Sequence, residues 1–446
     1  MKPALSTGSA IFALLLASCA STRPPASSAP PSWVHEPSGG TALQVDWWKV
    51  FGDPVLDDLI AQGWKSNPEI ESALQRVEAA RADRFEAMAA LFPKAGLSAG
   101  FREGREQDRM TNYRPDDLEP WTAAGEVGWE IDITGKLGAR LAAAKAVEGA
   151  AYARWRATRL LIATEIALAR FEDLVLSSEI GIQKAQLASE EKALGMTEAL
   201  FQRGLVSSGD RSTNVSETET MRRELAELDR LLGLARLRLD RLCGGGTGSS
   251  ASGNLPTVPA SPTKSPAAVW GSRPDLVAAE AELRAAFATQ DAARLDLLPT
   301  LSLGAGGSLG TNSLSGQLRT WELSAGPRLE IPVWDPGRIA TLKRSKAAAA
   351  GAAAVYRATA LKAVEEIEGA YLNFTRRRAQ LASIEREQST ARNAWTDVQA
   401  KTKSGAGSFP DENQAGRRYR DASRMASRLR LQLLDDYLAL VRALGG

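Results

Sequence analysis

Glu126-Val127-Gly128-Trp129-Glu130-Ile131-Asp132-Ile133 alternates without a break, with Val127, Trp129, Ile131 and Ile133 on one side and Glu126, Gly128, Glu130 and Asp132 on the other. Strict period two marks an extended strand that is apolar on one face and wet on the other. Three further stretches read the same way. In 94–102, Ala95, Leu97, Ala99 and Phe101 alternate with Lys94, Gly96, Ser98, Gly100 and Arg102. In 299–307, Leu301, Leu303 and Ala305 alternate with Thr300, Ser302 and Gly304, and in 320–333 Trp321, Leu323, Ala325, Leu329, Ile331 and Val333 stand against Glu322, Ser324, Gly326, Arg328 and Glu330. Such segments of about ten residues have the length of a transmembrane β-strand. A β-sandwich gives the same pattern, but two separated pairs of strands are few for one. Four strands cannot close a barrel alone, whereas three copies would supply twelve.

Each strand pair is preceded by a helical run and followed by a much longer one. Asn67-Pro68-Glu69 opens an Ala/Arg/Glu-rich run that ends at Leu91-Phe92-Pro93, and Arg273-Pro274-Asp275 opens a similar run that ends at Leu297-Leu298-Pro299. From Lys136 to near Phe201, and from Arg338 to near Lys403, a helical apolar pattern continues with no proline. Each would reach roughly 100 Å at 1.5 Å per residue. A Gly/Ser break follows each (204–209 and 405–408), then a return helix ending near Leu242 or Ala443, which points to coiled-coil packing of antiparallel helices. The chain therefore reads as a duplicated half: helix, strand, strand, long helix, helix. The first half covers 46–243 with strands at 94–102 and 123–133. The second covers 271–446 with strands at 299–307 and 320–333, and 244–270 is a Gly/Ser/Pro linker.

The N-terminus reads as an export signal over residues 1–18, with Lys2, an apolar stretch too short to span a bilayer, and Leu16-Ala17-Ser18-Cys19 at its end. A small-residue site closed by Cys resembles a bacterial lipoprotein signal, which implies cleavage before Cys19 and acylation of that residue. Several acyl chains on one residue hold a membrane stably. Residues 19–45, rich in Pro, Ser and Ala, read as a disordered tether. Cys243 is the one other cysteine and ends a helical pattern, so it packs rather than reacts.

Composition removes whole classes of function. In 446 residues, 55 Lys and Arg nearly cancel 53 Asp and Glu, which leaves no footprint for nucleic acid. The only histidine, His35, lies in the tether. No metal-ligand spacing, P-loop or nucleophile motif is present, so neither an enzyme nor a cofactor is expected.

The order and spacing of these features resemble the TolC-like outer membrane efflux family, in particular its lipid-anchored, NodT-type members that serve resistance-nodulation-division pumps. The resemblance rests on Cys19, Trp47-Trp48-Lys49-Val50-Phe51-Gly52-Asp53-Pro54, Trp129-Glu130-Ile131-Asp132-Ile133 running into Gly135-Lys136, Arg203-Gly204-Leu205-Val206, and the terminal Leu444-Gly445-Gly446. It implies a mainly α fold with membrane β: a homotrimer with a twelve-stranded outer membrane barrel that continues into a helical periplasmic tunnel. The implied partners are a periplasmic adaptor (membrane fusion) protein, an inner membrane pump, and outer membrane lipid through acylated Cys19. The alternatives are a lipid-anchored periplasmic scaffold that conducts nothing and an exit duct for type I protein secretion.

The same resemblance implies residue roles. Glu130, Asp132, Arg328 and Glu330 would face the lumen. Arg203, Gly204, Leu205 and Val206 would form a tip that meets the adaptor. Asp210 and Asp411, each six residues beyond a turn glycine, would ring the periplasmic opening as a gate. Ser207-x-x-Asp210 and Ser408-x-x-Asp411 also read as capping boxes, a structural role for the same carboxylates. The second turn, 404–410, departs from the family pattern in its extra glycines and Pro410, with Gln414 where relatives carry an acid.

Overall fold

The computed structural model describes residues 29–37, 39–101, 121–245, 253–311 and 320–446. The signal segment 1–18, Cys19 and the first part of the tether lie outside these residues. In chain order the elements are β1 (Thr41–Ala42), a 3-10 turn (Trp47–Phe51), α1 (Pro54–Ser66), α2 (Pro68–Ala89), β2 (Lys94–Phe101), β3 (Trp121–Ile131), α3 (Lys136–Gln202) and α4 (Ser208–Leu242). Then come β4 (Pro262–Thr263), α5 (Pro266–Ser272), α6 (Pro274–Leu295), β5 (Thr300–Thr311), β6 (Thr320–Glu330), α7 (Pro336–Lys403) and α8 (Phe409–Leu444). Proline opens α1, α2, α5, α6 and α7, where its missing N–H costs no helix bond. Among the described residues no helix is long and apolar enough to cross a membrane.

The two long helices run 67 and 68 residues. Alanine, arginine, leucine and glutamate fill them, residues that lose little freedom in a helix. Both stop the same way. Gly204 and Gly405 take left-handed φ values of 70° and 79°. The next amides then turn back to Leu200 and Lys401, closing a C-terminal cap over otherwise orphaned carbonyls.

The chain divides into two units. One comprises 75–153 and 278–359 and holds an antiparallel four-stranded sheet of order β2-β3-β5-β6. The other comprises described residues up to 74 with 154–277 and 360–446, and holds the main apolar core. There Phe51 meets Phe171 and Tyr437 edge-on at 4.9 and 5.4 Å, and Trp48 meets Trp64 at 5.1 Å. Arg170 is fully buried, and its Nε donates to Asp53 at 3.0 Å, while Asp53 also caps α1 through Val55 N.

Three expectations need correction. The tether does not extend to residue 45. Trp33 is buried, packs on Trp270 and donates its indole N–H to Lys264 O at 2.8 Å, and the amides of Val34 and His35 both donate to Glu368. Pro/Ser composition excludes a helix there, yet one large aromatic with satisfied backbone donors is enough to fix an irregular segment. The 244–270 linker is likewise ordered over its second part, where β4 pairs in parallel with β1 and Ser265 caps α5. The strands stop short of Asp132 and Val333, because the chain turns at Ile131 and Glu330 to enter the long helices.

Candidate functional site

Register sorts the sheet residues into two faces. Ala95, Val127, Ala305 and Ala325 lie in one row; Leu97, Gly125, Gly307 and Leu323 in the next; Ala99, Ala123, Leu309 and Trp321 in a third. The rows Phe101–Trp121 and Trp129–Leu303–Pro327 continue this face, whose described side chains are apolar apart from its glycines. Leu97 is 95 % exposed, and Trp321 and Leu323 are each 77 % exposed. Among the described residues nothing covers these side chains, which an aqueous surface would not tolerate. Phe101, Trp121 and Trp321 cluster toward one end of the face and Trp129 stands at the other. The eight residue steps of β3 from Trp121 to Trp129 span about 26 Å along the strand, about 20 Å of height at the tilt of barrel strands, which is most of a membrane-barrel apolar band between its aromatic girdles.

The opposite face carries Lys94, Glu126, Glu130, Ser302, Glu322, Arg328 and Glu330 among many glycines. Of the sequence-predicted lumen residues, Glu130, Arg328 and Glu330 stand here. Asp132 does not: it lies beyond β3, and its two oxygens accept from Leu137 N at 3.0 Å and Gly138 N at 2.8 Å, closing the start of α3. Glu126 and Glu322 share this face; alternation puts each on the wet side of its own strand, and register puts those two sides on one face. β2 and β6 are the outer strands of the sheet, so each has one edge without a partner among the described residues.

Two of the polar-face carboxylates are tied at the strand–helix crossings. Glu130 pairs with Lys136 Nζ at 2.7 Å and Glu330 with Arg338 Nη2 at 2.8 Å. Sequence reasoning missed the residue between them, Asp296, which lies 3.4 Å from Lys136 and 3.7 Å from Arg338.

At the first helical turn, Arg203, Gly204 and Leu205 are exposed and Val206 half-buried. Leu205 is 68 % and nearby Met196 67 % exposed, an apolar tip. Arg211 packs its guanidinium over the Phe201 ring at 5.4 Å and pairs with Glu198. Asp210 forms a complete capping box: its amide donates to Ser207 Oγ at 3.0 Å, and its carboxylate accepts from Ser207 N and Oγ. Those bonds favour the charged form and hold its carboxyl below the usual 3.8. At the second turn Asp411 N donates to Ser408 Oγ at 3.3 Å and Ser408 Oγ donates to the Asp411 carboxylate, without the reciprocal bond from the cap amide. Both aspartates thus have the capping role.

A family model described as outer membrane efflux protein matches residues 59–245 and 268–446. Nodulation protein T of Rhizobium leguminosarum bv. trifolii is 25 % identical over 424 residues, covering 91 % of this chain and 90 % of its own length. The pyoverdine export outer membrane protein OpmQ of Pseudomonas aeruginosa is 26 % identical over 450 residues, covering 97 % and 95 %. Among solved structures, the outer-membrane channel OprN superposes with a TM-score of 0.83 at 25 % identity over 96 % of this chain and 98 % of that one. The Campylobacter jejuni CmeC outer membrane channel shares the fold, with a TM-score of 0.83 at 19 % identity over 95 % and 94 %. An apolar sheet face that no described residue covers, long paired helices and these matches lead to one conclusion: the chain belongs to the outer membrane efflux protein family and is an exit channel of the outer membrane.

Proposed function

We propose that three copies of this chain close their sheets edge to edge into a twelve-stranded barrel that continues into a tunnel of long helices. The observation that carries this reading is the sheet itself, apolar across one face and with both edges unpaired among the described residues. A lipid-anchored scaffold needs no such face. Each strand runs antiparallel to its neighbour. With four strands per copy, β6 of one copy meets β2 of the next antiparallel, as closure requires. The apolar face would then meet lipid, and the glycine-rich polar face would line water.

The order helix, strand, strand, long helix, helix occurs twice and supports an origin by duplication. Cys19 would carry the lipid anchor, with Trp33 as the first fixed point downstream. The exposed tip at Arg203–Val206 would meet the periplasmic adaptor, and a partner pump in the inner membrane would deliver the substrate. Asp210 and Asp411, which cap the return helices, would also ring the periplasmic opening as gate residues. Catalysis has no part in this reading.

Light scattering of the detergent-extracted protein tests the assembly. A molar mass of three chains is expected, and a mass of one or two chains would overturn the proposal.

A further inference from the structure

Among the described residues the four-stranded sheet joins the helices at four places, and side chains close all of them. At the step from α2 to β2, Trp129 Nε1 donates to Leu91 O at 2.8 Å. The other three crossings, from β3 to α3, from α6 to β5 and from β6 to α7, converge on one residue. Asp296 follows the last turn of α6. Its carboxylate faces Lys136 in the first turn of α3 at 3.4 Å, Arg140 at 3.8 Å, and Arg338 in the first turn of α7 at 3.7 Å. Its backbone carbonyl accepts from Arg338 Nη1 at 2.8 Å.

The cations complete the link to the strands. The Lys136 side chain is only 8 % exposed and holds Glu130 at the end of β3. Arg338 holds Glu330 at the end of β6 and Asp335 at the start of α7. A planar guanidinium with contacts on four sides cannot turn without losing several of them.

We propose that Asp296 is a positioning residue of the exit channel: it locks three of the four strand–helix crossings and so fixes the bore where sheet passes into helices. The inference rests on the exit-channel reading. It also means that Glu130 and Glu330 brace the crossing, leaving Glu126, Glu322, Lys94 and Arg328 as the sheet charges with no ion pair among the described residues. Lys136 and Asp296 stand 160 positions apart in the chain, and no local motif announces their meeting.

Single-channel recording of the purified full-length protein in planar bilayers tests it. Asp296→Asn removes the central charge and keeps the shape. Its open-channel current noise should rise about threefold, with sub-conductance levels appearing, while Asp296→Glu stays near wild type. Arg273→Ala is the control for lost stability, since Arg273 lies in the other unit; it should lower the melting temperature and leave the noise unchanged. Should Asp296→Asn fail to reach the membrane, Arg338→Lys carries the test, because it keeps the charge and cannot make the fork. Wild-type noise and conductance levels in a conducting Asp296→Asn, or in Arg338→Lys in its place, would overturn the assignment. A wild-type protein that never conducts would instead remove the exit-channel reading, and this inference with it.

Discussion

Asn67 and Arg273 occupy the same step in two parts of the chain, and they do the same job with different chemistry. Each is buried, each precedes a proline that opens a 22-residue helix, and each reaches the end of a returning helix. Asn67 Nδ2 donates to Leu242 O at 2.8 Å, and Arg273 Nη1 donates to Ala443 O at 2.9 Å. Behind each stands a left-handed glycine that no other residue could replace. A Cβ on Gly244 would lie 2.5 Å from Ser66 O, and one on Gly445 would lie 2.7 Å from Arg273 Cα.

The difference lies in what else the side chain holds. Asn67 is self-sufficient: its Oδ1 caps α2 by accepting from Glu69 N at 2.8 Å and Ile70 N at 3.3 Å, so one neutral amide satisfies both helices. Arg273 cannot cap an N-terminus, because it has no acceptor. It instead recruits Asp275 and Glu366 and reaches Ala363 O as well, binding α6, α7 and α8 at once. A neutral joint serves two helices, whereas a charged joint holds three and costs more when it is lost.

Arg273→Ala should therefore have the largest effect. It orphans the Ala443 carbonyl at the end of α8 and removes a second contact to Ala363 O, although Asp275 and Glu366 are 45 % and 41 % exposed and return partly to water. The expected loss is about 2–4 kcal/mol, read from thermal unfolding. A loss below about 1 kcal/mol would mean that the hub is a surface network and the comparison fails.

Asn67→Ala should lose about 1–2 kcal/mol, combining a lost cap with an unmet carbonyl. Cys243 supplies a local reporter of this joint. It is fully buried beside Leu242, donates to Leu59 O at 3.6 Å, and burial pushes its thiol up to about 11. At pH 8 it should resist a water-soluble disulfide reagent in the wild type and in Arg273→Ala, and react at least about tenfold faster in Asn67→Ala. Equal rates in the two variants would show that the joints are not independent.

The smallest effect is expected at the first helical turn. The Asp210 carboxyl is held below its ordinary value by Ser207, so its contribution is present at neutral pH. That contribution fades as pH falls through the lowered value. Amide protection at 207–211, taken relative to the intrinsic exchange rate at each pH, should fall in acid in the wild type and be low at all pH values in Asp210→Ala. A protected turn in Asp210→Ala would remove the capping role.

How much of this was legible beforehand follows from what is local. Val127, Trp129 and Ile131 announce a strand by period alone, and the rows they join in the sheet follow from the same alternation in β5 and β6. The strand's end was misplaced at Asp132 and Ile133 because their alternation continues although the Asp132 carboxylate is already bonding the first turn of α3. The Ser207 and Ser408 caps were readable from spacing of three residues. Trp33 was not, since its partners Trp270 and Lys264 lie more than two hundred residues away and irregular segments carry no period. The Asp296 cluster escaped for the same reason. A charged residue after a helix looks solvated until the fold brings three cations to it.

The most direct test of the central claim is the single-channel current of the wild-type protein in planar bilayers beside that of Asp210→Ala/Asp411→Ala. Discrete small conductance steps in the wild type, growing when both carboxylates are removed, are what an exit channel narrowed at its helical turns predicts. A correctly assembled protein that carries no current even without both aspartates would contradict it.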